Sequence, residues 1–333
     1  MTKPTPLIDS HGRVHTSLRI SITDRCNIRC FYCMPAENVN FRPRDELLSY
    51  EEIERFASVA ARLGINRLRI TGGEPLVRNN LAELIERLSA IDGIHDIALT
   101  TNGILLAEQA AKLKTAGLQR LNISLDTLDD DVFFQLSRRR GIDQVIAGIH
   151  AAKQLGFERI RLNAIAIKSI TEQEIVPLAK FARQHDLELR FIEFMPLDAD
   201  GQWQRQQVLT GDKIKDILEV SFCNLVPVTR NDPSQPAVDF QFSDGQGRIG
   251  FINPLSQPFC HNCNRIRITA EGQLRNCLFS TTEWDARKLL RNQGSDEQLE
   301  ALIRSCVRGK NAAHGIDSDT FIKPQRAMYQ IGG

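Results

Sequence analysis

The chain has 333 residues, with 42 Lys and Arg against 41 Asp and Glu for a formal charge of +1. Hydrophobic residues make up 42% and charged residues 25%, a globular balance that excludes a disordered tail or a collagen-like rod. No net field draws the protein onto nucleic acid or a membrane, so neither is expected as a partner, and a polyanionic ligand must be held by locally placed cations.

The length suits one α/β barrel plus an appendage. No window approaches the ~18 apolar residues of a membrane span, and the opening MTKPTPLIDSHGR lacks the apolar segment of a secretory signal. A cytoplasmic location is therefore expected, where thiols stay reduced and the eight cysteines are not to be paired as disulfides.

Along the chain, β-rich runs at 18–23, 67–71, 96–101, 120–125, 159–167 and 188–194 alternate with helical periodicity at 50–63, 81–90, 107–116, 143–155 and 172–185. The inner parts of the strands are rich in Ile, Leu, Val and Phe, as burial on both faces of a parallel sheet requires. Ser49 with Glu52 forms a capping box. Gly64, Gly117 and Gly156 each follow a helical pattern, where a left-handed residue closes the helix. The alternation predicts an α/β fold, an incomplete parallel (βα)6 barrel with its function at the C-terminal ends of the strands.

Beyond about residue 210 the pattern changes, which divides the chain into a barrel at 1–210 and a smaller α+β module at 211–333. The module is expected to hold a helix at 212–218 and strands at 224–228, 238–242 and 248–252. A hairpin of 265–269 with 273–277 and helices at 283–291 and 297–307 follow.

The cysteines fall into two triplets, Cys26, Cys30 and Cys33, then Cys260, Cys263 and Cys277; Cys223 and Cys306 stand alone and read as small buried hydrophobes. The first triplet lies in a loop directly after the first strand. Its spacing suits thiolates that each take a different iron of a 4Fe–4S cluster, leaving one iron open to a reactant. Structural zinc wants four closed ligands, which this spacing fits poorly. The second triplet keeps two readings, a Cys3His zinc knot with His261 or a second cluster. Arg265 and Arg267 favour the cluster, because period-two spacing sends both guanidiniums to one side of a strand, beside the metal, as suits a phosphate-bearing ligand.

Cys-x3-Cys-x2-Cys with Tyr32 before its last cysteine resembles the signature of radical S-adenosylmethionine (SAM) enzymes, and Thr71-Gly72-Gly73-Glu74-Pro75 resembles that family's GGE motif. The resemblance implies a barrel of radical-SAM type whose first cluster chelates SAM through its open iron, with Tyr32, Gly73, Ser124 and Met195 in contact with the cofactor. Together, both triplets, the run Asn264-Arg265-Ile266-Arg267 and the terminal Gly332-Gly333 resemble the GTP-cyclising branch of that family, which opens molybdenum cofactor biosynthesis. The likeness runs from about Leu18 to Gly333.

That resemblance implies a second 4Fe–4S cluster on Cys260, Cys263 and Cys277, whose open iron meets the guanine of GTP. The resemblance further implies that a 5′-deoxyadenosyl radical takes hydrogen from ribose C3′ and that C3′ attacks C8, with reduction and protonation then giving 3′,8-cyclo-7,8-dihydro-GTP. A reducing electron donor and a downstream cyclic pyranopterin monophosphate synthase are implied as partners, and a homodimer is compatible. The nucleotide positions carried over are Arg19, Arg69, Thr100, Arg265 and Arg267, with Arg67 and Arg190 as further triphosphate cations. Arg161 stands where the family has Lys. Arg19, Arg265, Arg267 and the Gly332-Gly333 tail, which in the family threads into the active site, are implied as catalytic. Ion pairing of the strand arginines with Glu74 or Glu193 is the competing structural reading.

Two other activities remain open on the sequence: a radical enzyme acting on peptides with an auxiliary cluster, and a non-catalytic zinc or iron–sulfur module. Gly245-x-Gly247-x-x-Gly250 matches a dinucleotide fingerprint, but Pro254 and Pro258 follow where a helix is required. Arg138-Arg139-Arg140 reads as a solvated surface turn.

Overall fold

The computed structural model describes residues 6–230, 232–318 and 321–332. In chain order the first part holds β1 (Ser17–Ser21), α1 (Tyr50–Arg62), β2 (Arg67–Thr71), α2 (Leu81–Ser89), β3 (Asp96–Thr101), α3 (Leu106–Thr115) and β4 (Arg120–Ser124). It continues through α4 (Asp130–Ser137), α5 (Ile142–Gln154), β5 (Arg159–Ala166), α6 (Ile175–Gln184) and β6 (Glu188–Glu193). The second part holds α7 (Gly211–Ser221), β7 (Leu225–Pro227), β8 (Val238–Phe242), β9 (Arg248–Ile252), β10 (Arg265–Ile268) and β11 (Gln273–Arg275). It ends with β12 (Trp284–Asp285), α8 (Ala286–Arg291), α9 (Asp296–Arg308) and α10 (Met328–Ile331).

These strands join one sheet in the order β12-β11-β10-β1-β2-β3-β4-β5-β6-β9-β8-β7. β1 to β6 lie in sequence order with every neighbouring pair parallel, as expected of six βα units. The later segment extends this array at both ends. β10 pairs parallel with β1 and β9 parallel with β6, so eight parallel strands run side by side. Antiparallel partners then finish each edge.

The strands are not apolar on both faces, which corrects the expectation from composition. Leu18, Ile20, Leu68, Ile70, Leu99, Leu121 and Ile123 are buried in one core with helix residues such as Phe56, Leu84 and Val145. The alternate positions Arg19, Arg69, Thr100, Asn122 and Arg190 turn into the lumen. Burying each large aliphatic contributes about 1.5–3 kcal/mol, so the outer faces hold the fold while polar inner faces are left for a ligand.

Local signals account for most helices. The α1 capping box forms, with Ser49 Oγ accepting from the Glu52 N–H at 3.1 Å and the Glu52 carboxylate accepting from the Ser49 N–H at 2.7 Å. Gly64 closes that helix at φ +96°. Two predicted helices are shorter. The 172–185 pattern opens as a 3-10 turn and becomes helical only at Ile175. The 283–291 pattern opens as β12, and the helix waits for Asp285 to cap it by accepting from the Lys288 N–H at 3.0 Å. α4 was not predicted; Asp129 caps it, accepting from the N–H groups of Asp131 and Val132 at 2.9 Å each.

Gly245 and Gly247, both at φ +80°, turn the β8–β9 hairpin, as the dismissal of the dinucleotide fingerprint requires. Cys306 is buried and Cys223 packs partly buried against the core. Among the described residues no helix is long and apolar enough to cross a membrane.

Candidate active site

The first cysteine triplet follows β1 in a loop wound by backbone bonds from the Cys33 and Met34 N–H groups to the Cys30 carbonyl, 2.9 Å each. The unpredicted α4 backs this loop. The Arg29 N–H donates to the Ser137 carbonyl at 2.8 Å and the Phe31 N–H to the Leu136 carbonyl at 3.0 Å. Arg138 reaches the Met34 and Arg29 carbonyls at 3.2 and 3.5 Å, which corrects its reading as a solvated turn; it also pairs with Asp200 at 3.6 Å, and exposed Arg140 pairs with Asp130 and Asp131. On the other side the loop lies against Gly73, where a Cβ would stand 2.3 Å from the Arg25 carbonyl oxygen. Burial, with lesser help from nearby anions, pushes the Cys26 thiol up to about 11, Cys33 to about 12 and Cys30 well above its ordinary value. Such thiols form a neutral donor set that a metal centre must deprotonate.

The second triplet differs in charge. Cys260 sits in a 3-10 turn, Cys263 lies two residues before β10 and Cys277 two residues after β11. Burial pushes the Cys263 thiol up, but the Arg265 guanidinium and the Lys310 ammonium outweigh it and bring the pKa down to about 6. Arg265 Nε and Nη2 lie 3.4 and 3.3 Å from that sulfur, and Lys310 Nζ lies 3.3 Å away. His261 is exposed and lies outside the cavity wall, so it does not join the triplet as a zinc knot would require. Among the described residues no three His, Cys, Asp or Glu side chains converge on a single ion. Two sets of three loop thiols, each short of a fourth, fit multi-iron clusters with an open iron better than closed zinc sites.

Both triplets face one cavity of about 300 Å³ in the barrel lumen. Tyr32, Gly73, Ser124 and Met195 line it, as do Arg19, Arg69, Thr100, Arg190, Arg265 and Arg267. A second cavity of about 90 Å³ shares Arg19, Arg69, Arg190 and Arg265 as its wall and adds Arg67, Arg120 and Arg161. Register explains the arginine row, since Arg267, Arg19 and Arg69 are cross-strand neighbours on β10, β1 and β2.

The side chains of Arg19 and Arg69 make no hydrogen bond or ion pair among the described residues. Burial, then the neighbouring arginines, holds both well below the ordinary guanidinium range. Thr100 Oγ1, Asn163 Oδ1 and Arg190 Nε are also buried without a hydrogen-bond partner among the described residues. Leaving cations and polar atoms so placed is costly unless a ligand satisfies them.

Other arginines are already engaged, though not by the acids expected. Arg161 Nε lies 2.5 Å from Glu188, Arg190 lies 3.5 Å from Asp239 and 3.8 Å from Glu188, and half-exposed Arg67 pairs with Asp232. Glu74 instead accepts from the Asn102 N–H at 2.6 Å and Thr101 Oγ1 at 2.8 Å, and Glu193 from the Leu255 N–H at 2.8 Å. Arg267 Nη1 donates to the Gly332 carbonyl at 2.9 Å, bringing the tail into the lumen. Gly332 sits at φ +86° with room for no side chain, a Cβ falling 2.8 Å from that of Ser21. Gly333 lies outside the described residues.

The sequence reading missed Asp126, which accepts from the Tyr32 hydroxyl and, at 2.7 Å, from the Ile165 N–H, and which burial pushes up to about 6. Its position just beyond the fourth strand was the available signal. Asn163 and Lys310 were also missed, the latter with no local signal.

Residues 20–182 match the Radical SAM superfamily and residues 187–316 match Molybdenum Cofactor Synthesis C. A GTP 3′,8-cyclase of Rhodopirellula baltica is 52% identical over 336 aligned positions, covering 100% of this chain and 94% of that protein. A GTP 3′,8-cyclase of Mycolicibacterium smegmatis is 45% identical, covering 98% and 92%. Among solved structures, Streptococcus suis SuiB bound to precursor peptide SuiA aligns with a TM-score of 0.60 at 16% identity, covering 98% of this chain and 76% of that one. SuiB bound to S-adenosylmethionine aligns at 0.57 with 17% identity, covering 96% and 76%. At that identity the likeness is one of fold.

Proposed function

The chain belongs to the GTP 3′,8-cyclase family of radical SAM enzymes, and from that premise we propose how its own residues carry GTP to 3′,8-cyclo-7,8-dihydro-GTP in molybdenum cofactor biosynthesis. The observation that carries the reading is one cavity walled by both cysteine triplets and by Arg19 and Arg69, whose side chains lack a partner among the described residues. Cys26, Cys30 and Cys33 would hold one 4Fe–4S cluster and Cys260, Cys263 and Cys277 a second; with SAM bound, the first would supply the 5′-deoxyadenosyl radical needed to remove hydrogen from ribose C3′ so that C3′ can join C8.

Every other contribution is binding and orientation. Tyr32, Gly73, Ser124 and Met195 take SAM, with Tyr32 fixed by its hydroxyl bond to Asp126. Arg19 and Arg69 take the triphosphate, supported by their unpaired charge, with Arg190, Arg265 and the buried Thr100 hydroxyl beside them. Arg161 and Arg67 join by exchanging Glu188 and Asp232 for phosphate oxygens. Arg267 holds the Gly332 carbonyl, which sets that end of the tail in the lumen beside the substrate. Ile165, Ile192, Phe194 and Phe259 in the wall keep water out, which strengthens each of these charge contacts.

The division at 1–210 and 211–333 is part of this proposal, supported by the end of the regular βα alternation after β6 and by the antiparallel pairs β7–β8, β8–β9, β10–β11 and β11–β12 beyond it. So are a cytoplasmic setting, which suits eight free thiols, a homodimer, a reducing electron donor and a cyclic pyranopterin monophosphate synthase downstream.

Anaerobic reconstitution followed by incubation with reductant, SAM and GTP tests the reading. Two cubanes predict roughly eight irons per chain and a cyclised nucleotide. Replacing Cys26, Cys30 or Cys33 by Ala should abolish SAM cleavage. Replacing Cys260, Cys263 or Cys277 should spare unproductive cleavage and stop cyclisation. Stoichiometric zinc at the later triplet, with GTP unconsumed, would overturn it.

A further inference from the structure

Lys310, just past the end of α9, is 5% exposed. Its Nζ donates to Cys263 Sγ at 3.3 Å and to the Arg265 carbonyl at 2.7 Å. It makes no ion pair with a carboxylate among the described residues. A buried ammonium is costly unless an anionic partner lies against it, and the partner this fold supplies is a cysteine sulfur. Lys310 is outside the walls of both cavities, so it faces neither nucleotide nor SAM. Arg265 also reaches that sulfur, but it lies in the cavity wall, stacked 4.8 Å over Phe259.

A second buried cation fixes this arrangement from behind. Arg13 Nη1 donates to the Cys260 carbonyl at 2.7 Å and to the Ala312 carbonyl at 2.9 Å, and Nη2 donates to the Asn311 carbonyl at 2.7 Å. Its Nε pairs with Asp9 at 2.6 Å. One guanidinium thus fastens the loop of Cys260 to the segment that carries Lys310.

We propose that Lys310 is a positioning residue for the second cluster, holding the Cys263 sulfur in place and favouring the cluster's reduced, more negative state. The proposal rests on the assignment of a cluster to the second triplet. N–H···S bonds and nearby charge set both the retention and the potential of iron–sulfur centres. A cation beside a ligand sulfur stabilises the state with one more electron over the other.

The test uses reconstituted full-length protein and two variants, Lys310→Met, which keeps an apolar stem without charge, and Lys310→Arg, which keeps the charge. In Lys310→Met, chelator-driven iron loss from the second cluster is expected about tenfold faster, and its ratio of reduced to oxidised form at a fixed potential should fall by about tenfold. Lys310→Arg should recover most of both effects, and the first cluster should be unaffected in either variant. Loss rates and ratios equal to those of the unmodified protein would overturn the proposal. Should Lys310→Met not fold, pulsed EPR of the unmodified protein grown on [15N]lysine decides the matter: a 15N coupling at the second cluster supports the contact and its absence overturns it. Unmodified protein that binds only one cluster would instead sink the two-cluster reading, an outcome told apart by iron content alone.

Discussion

At the scale of single residues, Arg19 and Arg69 stand in a lumen that burial and neighbouring guanidiniums, two beside Arg19 and four beside Arg69, make hostile to positive charge. A charge-assisted bond contributes about 1.5–3 kcal/mol, so Arg19→Gln or Arg69→Gln should weaken GTP binding by about tenfold to a hundredfold. The nucleotide-free chain should melt no lower, because the variant relieves an unpaired buried charge. Titration calorimetry and thermal melting check the pair of outcomes; lost stability with unchanged binding would contradict them. His15 makes a pH-dependent counterpart. Burial, then Lys310, pushes its ring from the ordinary 6.5 to about 4, against the pull of Asp9 at 3.1 Å. The unfolded ring takes its proton near 6.5 and the folded ring only near 4, so stability falls as pH drops through that window and falls no further below it. The loss is on the order of 3 kcal/mol. His15→Gln should flatten that limb in denaturant titrations across pH; an unchanged slope would contradict the assignment. The triplets and the period-two arginines could be read from sequence because their spacing is local. Lys310 and Arg13 could not, since what gives them meaning lies 47 and 247 residues away.

At the scale of elements, the cysteine loop is held between the end of β2 and the end of α4. Gly73→Ala would set a methyl 2.3 Å from the Arg25 carbonyl, where real contacts do not occur, so the loop must move. The expected result is loss of the first cluster, about half the iron, with the second cluster and the circular dichroism of the fold retained. Full iron in that variant would show that the close approach is not needed. The capping box of α1 was legible because Ser49 and Glu52 carry it within one turn. α4 was hidden because its start, Asp129-Asp130-Asp131, has the composition of a loop, and its value lies in backbone carbonyls offered to Arg29 and Phe31. The strands misled in another way. Their Ile and Leu marked β structure correctly, but the arginines between them signalled a polar lumen rather than a sheet dry on both faces.

At the scale of the molecule, the later segment does not merely cap the barrel but continues its sheet, with β10 beside β1 and β9 beside β6. No local pattern announces such pairing, because Arg19 and Arg267 become neighbours only through the parallel register of strands far apart in the chain. The consequence is chemical. The strand that carries Arg265 and Arg267 is locked to the strand that leads into Cys26, so both cysteine triplets open on one chamber. The most direct test follows deuterium from [3′-2H]GTP in anaerobically reconstituted protein supplied with reductant and SAM. Deuterium is expected in the 5′-deoxyadenosine, with a cyclised nucleotide that lacks it at C3′; 5′-deoxyadenosine formed without label while GTP is returned intact would overturn hydrogen removal from C3′ by this chain.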